Sequence, residues 1–190
     1  MRVIAGIAKG HALQAPKGTK TRPTADRVKE AVFSVLGDLV FKAKVLDCYG
    51  GSGALGIEAL SRGALLAVFF EREREALNTI KKNLLKTNFS ENTKVYGGDV
   101  VKMLPGLTKA EFDLVFLDPP YNRGEIAKIE NALLQEGILK QDAVVVLETE
   151  KKQPELFQTE NWELKKTSFY GDTAVYYYKK FNAKEKGVKI

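Results

Sequence analysis

From residue 43 to residue 150 the chain alternates short apolar runs with segments whose apolar residues recur at helical spacing. This is the pattern of a parallel sheet covered by helices, because each parallel strand needs a crossover before the next. Val45-Leu46-Asp47, Leu65 to Glu71, Lys94-Val95-Tyr96, Phe112 to Leu117 and Ala143 to Glu148 read as five strands. Most are apolar along their whole length, as strands covered on both faces are. Gly53 to Arg62, Glu73 to Lys86, Val100 to Leu107 and Glu125 to Gln135 read as helices. Ala76, Leu77, Ile80 and Leu84 share one inward face of the second, and Ile126, Ile129, Leu133 and Leu134 one of the fourth. Beyond residue 150 the pattern changes. Trp162 to Lys166 and Ala174 to Tyr178 alternate like antiparallel strands on either side of the turn signal Gly171-Asp172. The expected fold is α/β: a seven-stranded, mostly parallel sheet with an antiparallel last strand.

The N-terminus is a separate element. Arg2 to Ala5 and Ala12 to Gln14 flank Lys9-Gly10 and suggest a β-hairpin. Pro16 to Pro23 reads as a loop, and Thr24 as the N-cap of a helix with Val28, Ala31, Val32 and Val35 on one face. Charge is concentrated at the two ends. Residues 1–29 carry a net charge of +6 and residues 179–190 a net charge of +4, whereas residues 30–178 are at −4. Basic ends around a mildly acidic body suggest a polyanionic partner. The expected division is a basic hairpin and helix over 1–37, a cofactor-binding domain over 38–182 and a basic tail over 183–190. No apolar run approaches the roughly 20 residues of a membrane span. The single cysteine, Cys48, rules out an internal disulfide and fits a reducing cytoplasm. A monomer is the expected state, and no metal site is expected.

Two motifs carry chemistry. Gly51-Ser52-Gly53-Ala54-Leu55-Gly56 matches the glycine-rich turn between a first strand and its helix, and Glu71 follows Gly53 by 18 residues at the next strand end. That order suits an adenosine-containing ligand whose ribose diol is held by the acid. Asp47, just before the turn, would repel the pyrophosphate of a dinucleotide but suits a cation. S-adenosylmethionine has no phosphate and carries an α-ammonium, a sulfonium and a ribose diol. Asp47 then suits the ammonium, Glu71 the diol and Asp99, at the third strand end, the adenine amine. Unpaired carboxylates at successive strand ends repel one another, so a purely structural role for all three is hard to find. The second motif is Asp118-Pro119-Pro120-Tyr121. Two prolines end the fourth strand at its carboxyl edge, where open α/β sheets bind ligands. The run offers a carboxylate, a stiff carbonyl and an aromatic face, the groups needed to hold a planar base with an exocyclic amine.

Asp47-Cys48-Tyr49-Gly50-Gly51-Ser52-Gly53, Glu71, Asp99 and Asp118-Pro119-Pro120-Tyr121 resemble the motifs of class I, Rossmann-like S-adenosylmethionine-dependent methyltransferases that act on exocyclic amines. Arg22-Pro23-Thr24-Ala25-Asp26-Arg27-Val28-Lys29-Glu30, Phe33 to Leu36 and Gly53 to Gly63 narrow the resemblance to the bacterial RsmD-type family, across essentially all of residues 1–180. The family usually has Leu-Phe-Ala where this chain has Cys48-Tyr49-Gly50, and its hairpin is richer in arginine. The resemblance implies methylation of a guanine N2 in small-subunit (16S) ribosomal RNA, with a partly assembled subunit as substrate. It implies catalytic roles for Asp118, Pro119, Pro120 and Tyr121. It implies cofactor contacts from Asp47, Tyr49, Gly51, Ser52, Gly53, Glu71, Arg72, Asp99 and Val100. RNA contacts are expected from Arg2, Lys9, His11, Lys17, Arg22 and Arg27. The residues themselves leave two other readings open: a DNA methyltransferase acting on adenine N6 or cytosine N4, and a non-catalytic rRNA-binding assembly factor. An NAD oxidoreductase is disfavoured by Asp47 and by the lack of an acid–base histidine.

Overall fold

A computed structural model describes residues 1–16, 26–107, 112–119, 124–135, 137–152, 154–158 and 160–181. Its sheet has seven strands among these residues: β1 (Lys44–Asp47), β2 (Leu66–Glu71), β3 (Thr93–Gly97), β4 (Phe112–Leu117), β5 (Leu139–Glu150), β6 (Trp162–Tyr170) and β7 (Thr173–Lys180). They lie in the order β3-β2-β1-β4-β5-β7-β6. The first five run parallel to one another. β7 is antiparallel to both β5 and β6, so it is the reversed strand the sequence leads one to expect.

Helices cover both faces, and the burial pattern of each follows its apolar stripe. α1 (Asp26–Leu36), α2 (Ala54–Ser61) and α3 (Arg74–Lys86) pack on one face through Val32, Phe33, Ile57, Ile80 and Leu84. α4 (Val100–Met103) and α5 (Glu125–Gln135) pack on the other through Val100, Ile126, Ile129 and Leu133. The helix expected over Val100 to Leu107 is shorter than its sequence suggests. α4 gives way at Leu104 to a single 3-10 turn, Leu104–Gly106, where Pro105 has no N–H to continue the helix. β5 is longer than its apolar centre, because pairing with β7 carries it out to Glu150.

The N-terminal hairpin is reduced to a single bridge, Arg2 opposite Ala12, flanked by Val3 N–H to His11 O and Leu13 N–H to Met1 O, both at 3.0 Å. It does not extend because its next donors go elsewhere. Ile4 N–H and Ala5 N–H donate to the Glu58 carboxylate of α2 at 2.7 and 3.0 Å. Glu58 also holds Arg62 Nε at 2.8 Å and the fully buried Lys29 Nζ of α1 at 3.5 Å. Lys29 donates in turn to the Arg2 carbonyl. Val3, Ala8 and Leu13 lie in the same core as α1, α2 and the strands. The buried face of α1 is Val28, Lys29, Val32, Phe33 and Leu36, turned from the Val28, Ala31, Val32 and Val35 face expected from the sequence, and Lys29 is tolerated on it because a carboxylate meets it. The Thr24 cap and the tail over 183–190 lie outside the described residues.

Candidate active site

The strand order brings the carboxyl ends of β3, β2, β1, β4 and β5 side by side. Asp99, Glu71, Asp47, Asp118 and Glu148 therefore form a row of acids along one edge. Among the described residues they do not converge on a cage that could hold a metal ion. The row is suited to an extended, cationic or donor-rich ligand instead.

Each of the first three acids also has a local structural partner. Gly56 N–H of α2 donates to Asp47 Oδ2 at 3.1 Å. Gly51 N–H donates to Glu71 Oε2 at 2.9 Å, and Glu73 N–H to Glu71 Oε1 at 2.8 Å. Lys102 N–H donates to Asp99 Oδ1 at 3.2 Å, which makes Asp99 the N-cap of α4. The repulsion that makes a structural role hard to see from sequence is thus partly offset by backbone donors. One or two N–H bonds leave a carboxylate further acceptor sites for a ligand. The turn is built to fit. Gly53 has φ +80° at the start of α2, a conformation that favours glycine, and a side chain at Gly56 would strike the Phe69 ring at 2.3 Å. That close approach carries the Gly56 N–H to Asp47.

Burial dominates the electrostatics. Asp47 is 3% exposed. Its carboxyl is pushed up from 3.8 to about 7, chiefly by burial, with the charges of Asp118 and Glu71 adding to the shift and the Gly56 N–H opposing it. Asp118 is half-buried, and burial raises it too. Glu148 is raised by burial first and by the Asp118 charge second. A cation or a set of N–H donors in this edge would relieve all three.

The remaining expected residues fall in several places. Tyr49 is half-buried, and its hydroxyl donates to Glu125 Oε1 of α5 at 2.6 Å; burial and that carboxylate drive its phenol upward. The phenol thus ties the loop after β1 to the helix that follows Asp118-Pro119. Ser52 Oγ–H points to Met1 Sδ at 3.7 Å. Val100 is buried at the start of α4, and Arg72 is exposed beside Glu73, 3.4 Å from Nε to Oε1. Pro119 is buried next to Asp118. Arg2, Lys9, His11 and Arg27 are exposed around the N-terminal element, with Arg2 Nε 3.9 Å from Asp26 and His11 Nδ1 2.9 Å from the Ala8 carbonyl. Pro120, Tyr121, Lys17 and Arg22 lie outside the described residues.

Three residues the sequence reading passes over stand at this site. Asn83, fully buried on α3, donates to the carbonyls of Ser52 at 2.8 Å and Gln14 at 3.0 Å and accepts Gln14 N–H at 2.8 Å. It joins the glycine turn to the N-terminal segment. Glu125 holds Tyr49, and Glu148 stands beside Asp118. The signal for Asn83 was a polar residue on an otherwise apolar helix face. For Glu148 it was an acid ending an apolar run, the same pattern that marks Asp118.

The chain matches the family model described as "Conserved hypothetical protein 95" over residues 1–179. It is 38% identical over 183 residues to "Putative rRNA methyltransferase YlbH" of Bacillus subtilis, covering 95% of this chain and 99% of that one. It is 38% identical over 174 residues to "Ribosomal RNA small subunit methyltransferase D" of Haemophilus influenzae, covering 90% and 89%. Among solved structures, "Putative methyltransferase yhhF from Escherichia coli" superposes with a TM-score of 0.84 at 34% identity, covering 96% of this chain and 98% of that one.

Proposed function

The chain belongs to the RsmD-type family of class I methyltransferases, and from that premise we propose that it methylates the exocyclic N2 of a guanine in small-subunit ribosomal RNA. The observation that carries this reading is the pairing, along one sheet edge, of a glycine turn and its acids with Asp118-Pro119. The donor set fits S-adenosylmethionine. Glu71 would hold the ribose diol, Asp47 would face the α-ammonium, and Asp99 and Val100 would border the adenine. When bound, this cofactor supplies an electrophilic methyl group.

The other half of the chemistry belongs to the chain. The lone pair of a guanine amine is conjugated with its ring and is a poor nucleophile. Asp118 and the Pro119 carbonyl would accept its two N–H bonds, turn the lone pair out of the ring plane and aim it. Such positioning is worth on the order of 7–11 kcal/mol. As the nitrogen gains its fourth substituent it becomes cationic, and Asp118, raised by burial, is the adjacent acceptor for the proton it loses. Tyr121 would stack on the splayed-out base, worth roughly 1–3 kcal/mol. The basic element over 1–37 would grip the phosphates, with a partly assembled subunit as substrate, in the cytoplasm and as a monomer.

Incubation of the purified protein and labelled cofactor with small ribosomal subunits, naked small-subunit rRNA and duplex DNA, followed by nucleoside mass spectrometry, tests the reading. N2-methylguanosine from the subunits is the expected product. N6-methyladenine or N4-methylcytosine in the DNA alone would replace it with the DNA reading.

A further inference from the structure

Four of the five edge acids have a task in the chemistry above, and Glu148 has none. β4 and β5 pair in parallel with Phe116 opposite Val146 and Leu117 opposite Leu147. Asp118 and Glu148 are the next residues on the two strands. Alternation along a strand puts both on the face of Phe116 and Val146. α1 packs on that same face, its Phe33 ring 5.7 Å from Phe116, so the N-terminal element and this pair of acids share one side of the sheet.

Asp47, Glu71 and Asp99 each accept a backbone N–H. Among the described residues neither Asp118 nor Glu148 has a hydrogen-bond donor or a cationic partner. Half-buried carboxyls without donors are costly; burial raises both groups, and the charge of Asp118 raises Glu148 further. A ligand that carries two adjacent N–H donors offsets the cost. Guanine has such an edge, with its N2 amine beside N1–H. Adenine sets its N6 amine beside N1, an acceptor, and cytosine sets its N4 amine beside N3, also an acceptor.

We propose that Glu148 determines the base specificity of the site by accepting the N1–H of the guanine whose N2 amine Asp118 holds. This rests on the amine-methylation reading of the same site and deepens it. Asp118-Pro119 fits any exocyclic amine, and the second carboxyl selects the base. Above about pH 8, where its raised carboxyl is ionised, Glu148 set against adenine N1 or cytosine N3 places two acceptors face to face, which is a specificity built from repulsion as well as attraction.

The test replaces one atom pair in the substrate. Small-subunit rRNA is assembled by splint ligation with either guanosine or 2,6-diaminopurine riboside at the methylated position, and then reconstituted into subunits. The analogue keeps the N2 amine but has an acceptor at N1. The wild-type protein should prefer guanosine in kcat/KM by about 10- to 100-fold, the discrimination one base-edge pair supplies. In Glu148→Gln the side-chain amide can donate to the analogue's N1, so the preference should collapse toward parity. A merely structural loss would lower both substrates alike and leave the ratio unchanged. Binding of S-adenosylhomocysteine reports whether the variant is folded. If it is not, the wild-type comparison still decides. Equal use of both substrates by the wild type, or an unchanged ratio in a folded Glu148→Gln, overturns the assignment. No transfer to the guanosine subunits at all overturns the amine-methylation reading itself, and this assignment with it.

Discussion

At the scale of single residues, Asp47 carries the sharpest consequence. It sits buried between Gly56, Glu71 and Asp118, and its carboxyl titrates near 7 instead of 3.8. It is mostly protonated at pH 6 and mostly ionised at pH 8. A cationic group binds the ionised form, so affinity for S-adenosylhomocysteine should rise about tenfold between those values, with proton release on binding at the lower pH. Calorimetry in buffers of different ionisation enthalpy measures both, and a flat profile would remove Asp47 from the cofactor site. The effect on folding has the opposite sign. Stability from this group is fully present below pH 3.8 and is lost as pH rises through about 7, because the folded state must then hold a buried charge. Asp47, Glu71 and Asp118 were legible in the sequence because each ends an apolar run, and Asp99 because it follows the short strand Lys94-Val95-Tyr96 through Gly97-Gly98. Their backbone donors were not, because those depend on where α2 and α4 begin in space.

At the scale of elements, one carboxylate gathers four of the contacts that hold the N-terminal segment, α1 and α2 together. Glu58 receives Ile4 N–H, Ala5 N–H, Arg62 and Lys29, and so joins the N-terminal segment, α1 and α2. Glu58→Ala leaves Lys29 buried and unpaired and two backbone donors unmet. A cost of roughly 3–5 kcal/mol is expected by denaturant unfolding, together with weaker RNA binding as the segment loosens. An unchanged unfolding midpoint would show that the junction is incidental. The strands and longer helices were readable because period-2 and period-3.6 patterns persist over enough residues to be distinct. The hairpin was not readable in its true form. Val3, Ala8 and Leu13 bury against α1 and α2 without a period of their own, and the donors of Ile4 and Ala5 are taken by a residue more than fifty positions away. Lys29 and Asn83 were hidden for a related reason. A polar residue on an apolar helix face is explained only by its partner, and the partner is distant in sequence.

At the scale of the whole molecule, charge and topology point the same way. The basic ends are suited to a polyanion, and the body presents a row of acids on the edge where open α/β sheets bind ligands. On the proposed reading, phosphate contacts by the N-terminal element would bring RNA to the molecule, and the acids would exclude phosphate from the edge itself, so that the base and not the backbone would enter there. The order of the strands, which sequence pattern alone leaves open, is what brings Asp118 next to Asp47 on one side and Glu148 on the other. The most direct measurement is the amount of N2-methylguanosine in small-subunit rRNA from cells that lack this gene and carry either the wild-type protein or Asp118→Ala. The wild type should restore one N2-methylguanosine per subunit and Asp118→Ala none, while the variant still binds S-adenosylhomocysteine. Full restoration by Asp118→Ala, or rRNA unchanged by loss of the gene, would contradict methyl transfer at this site.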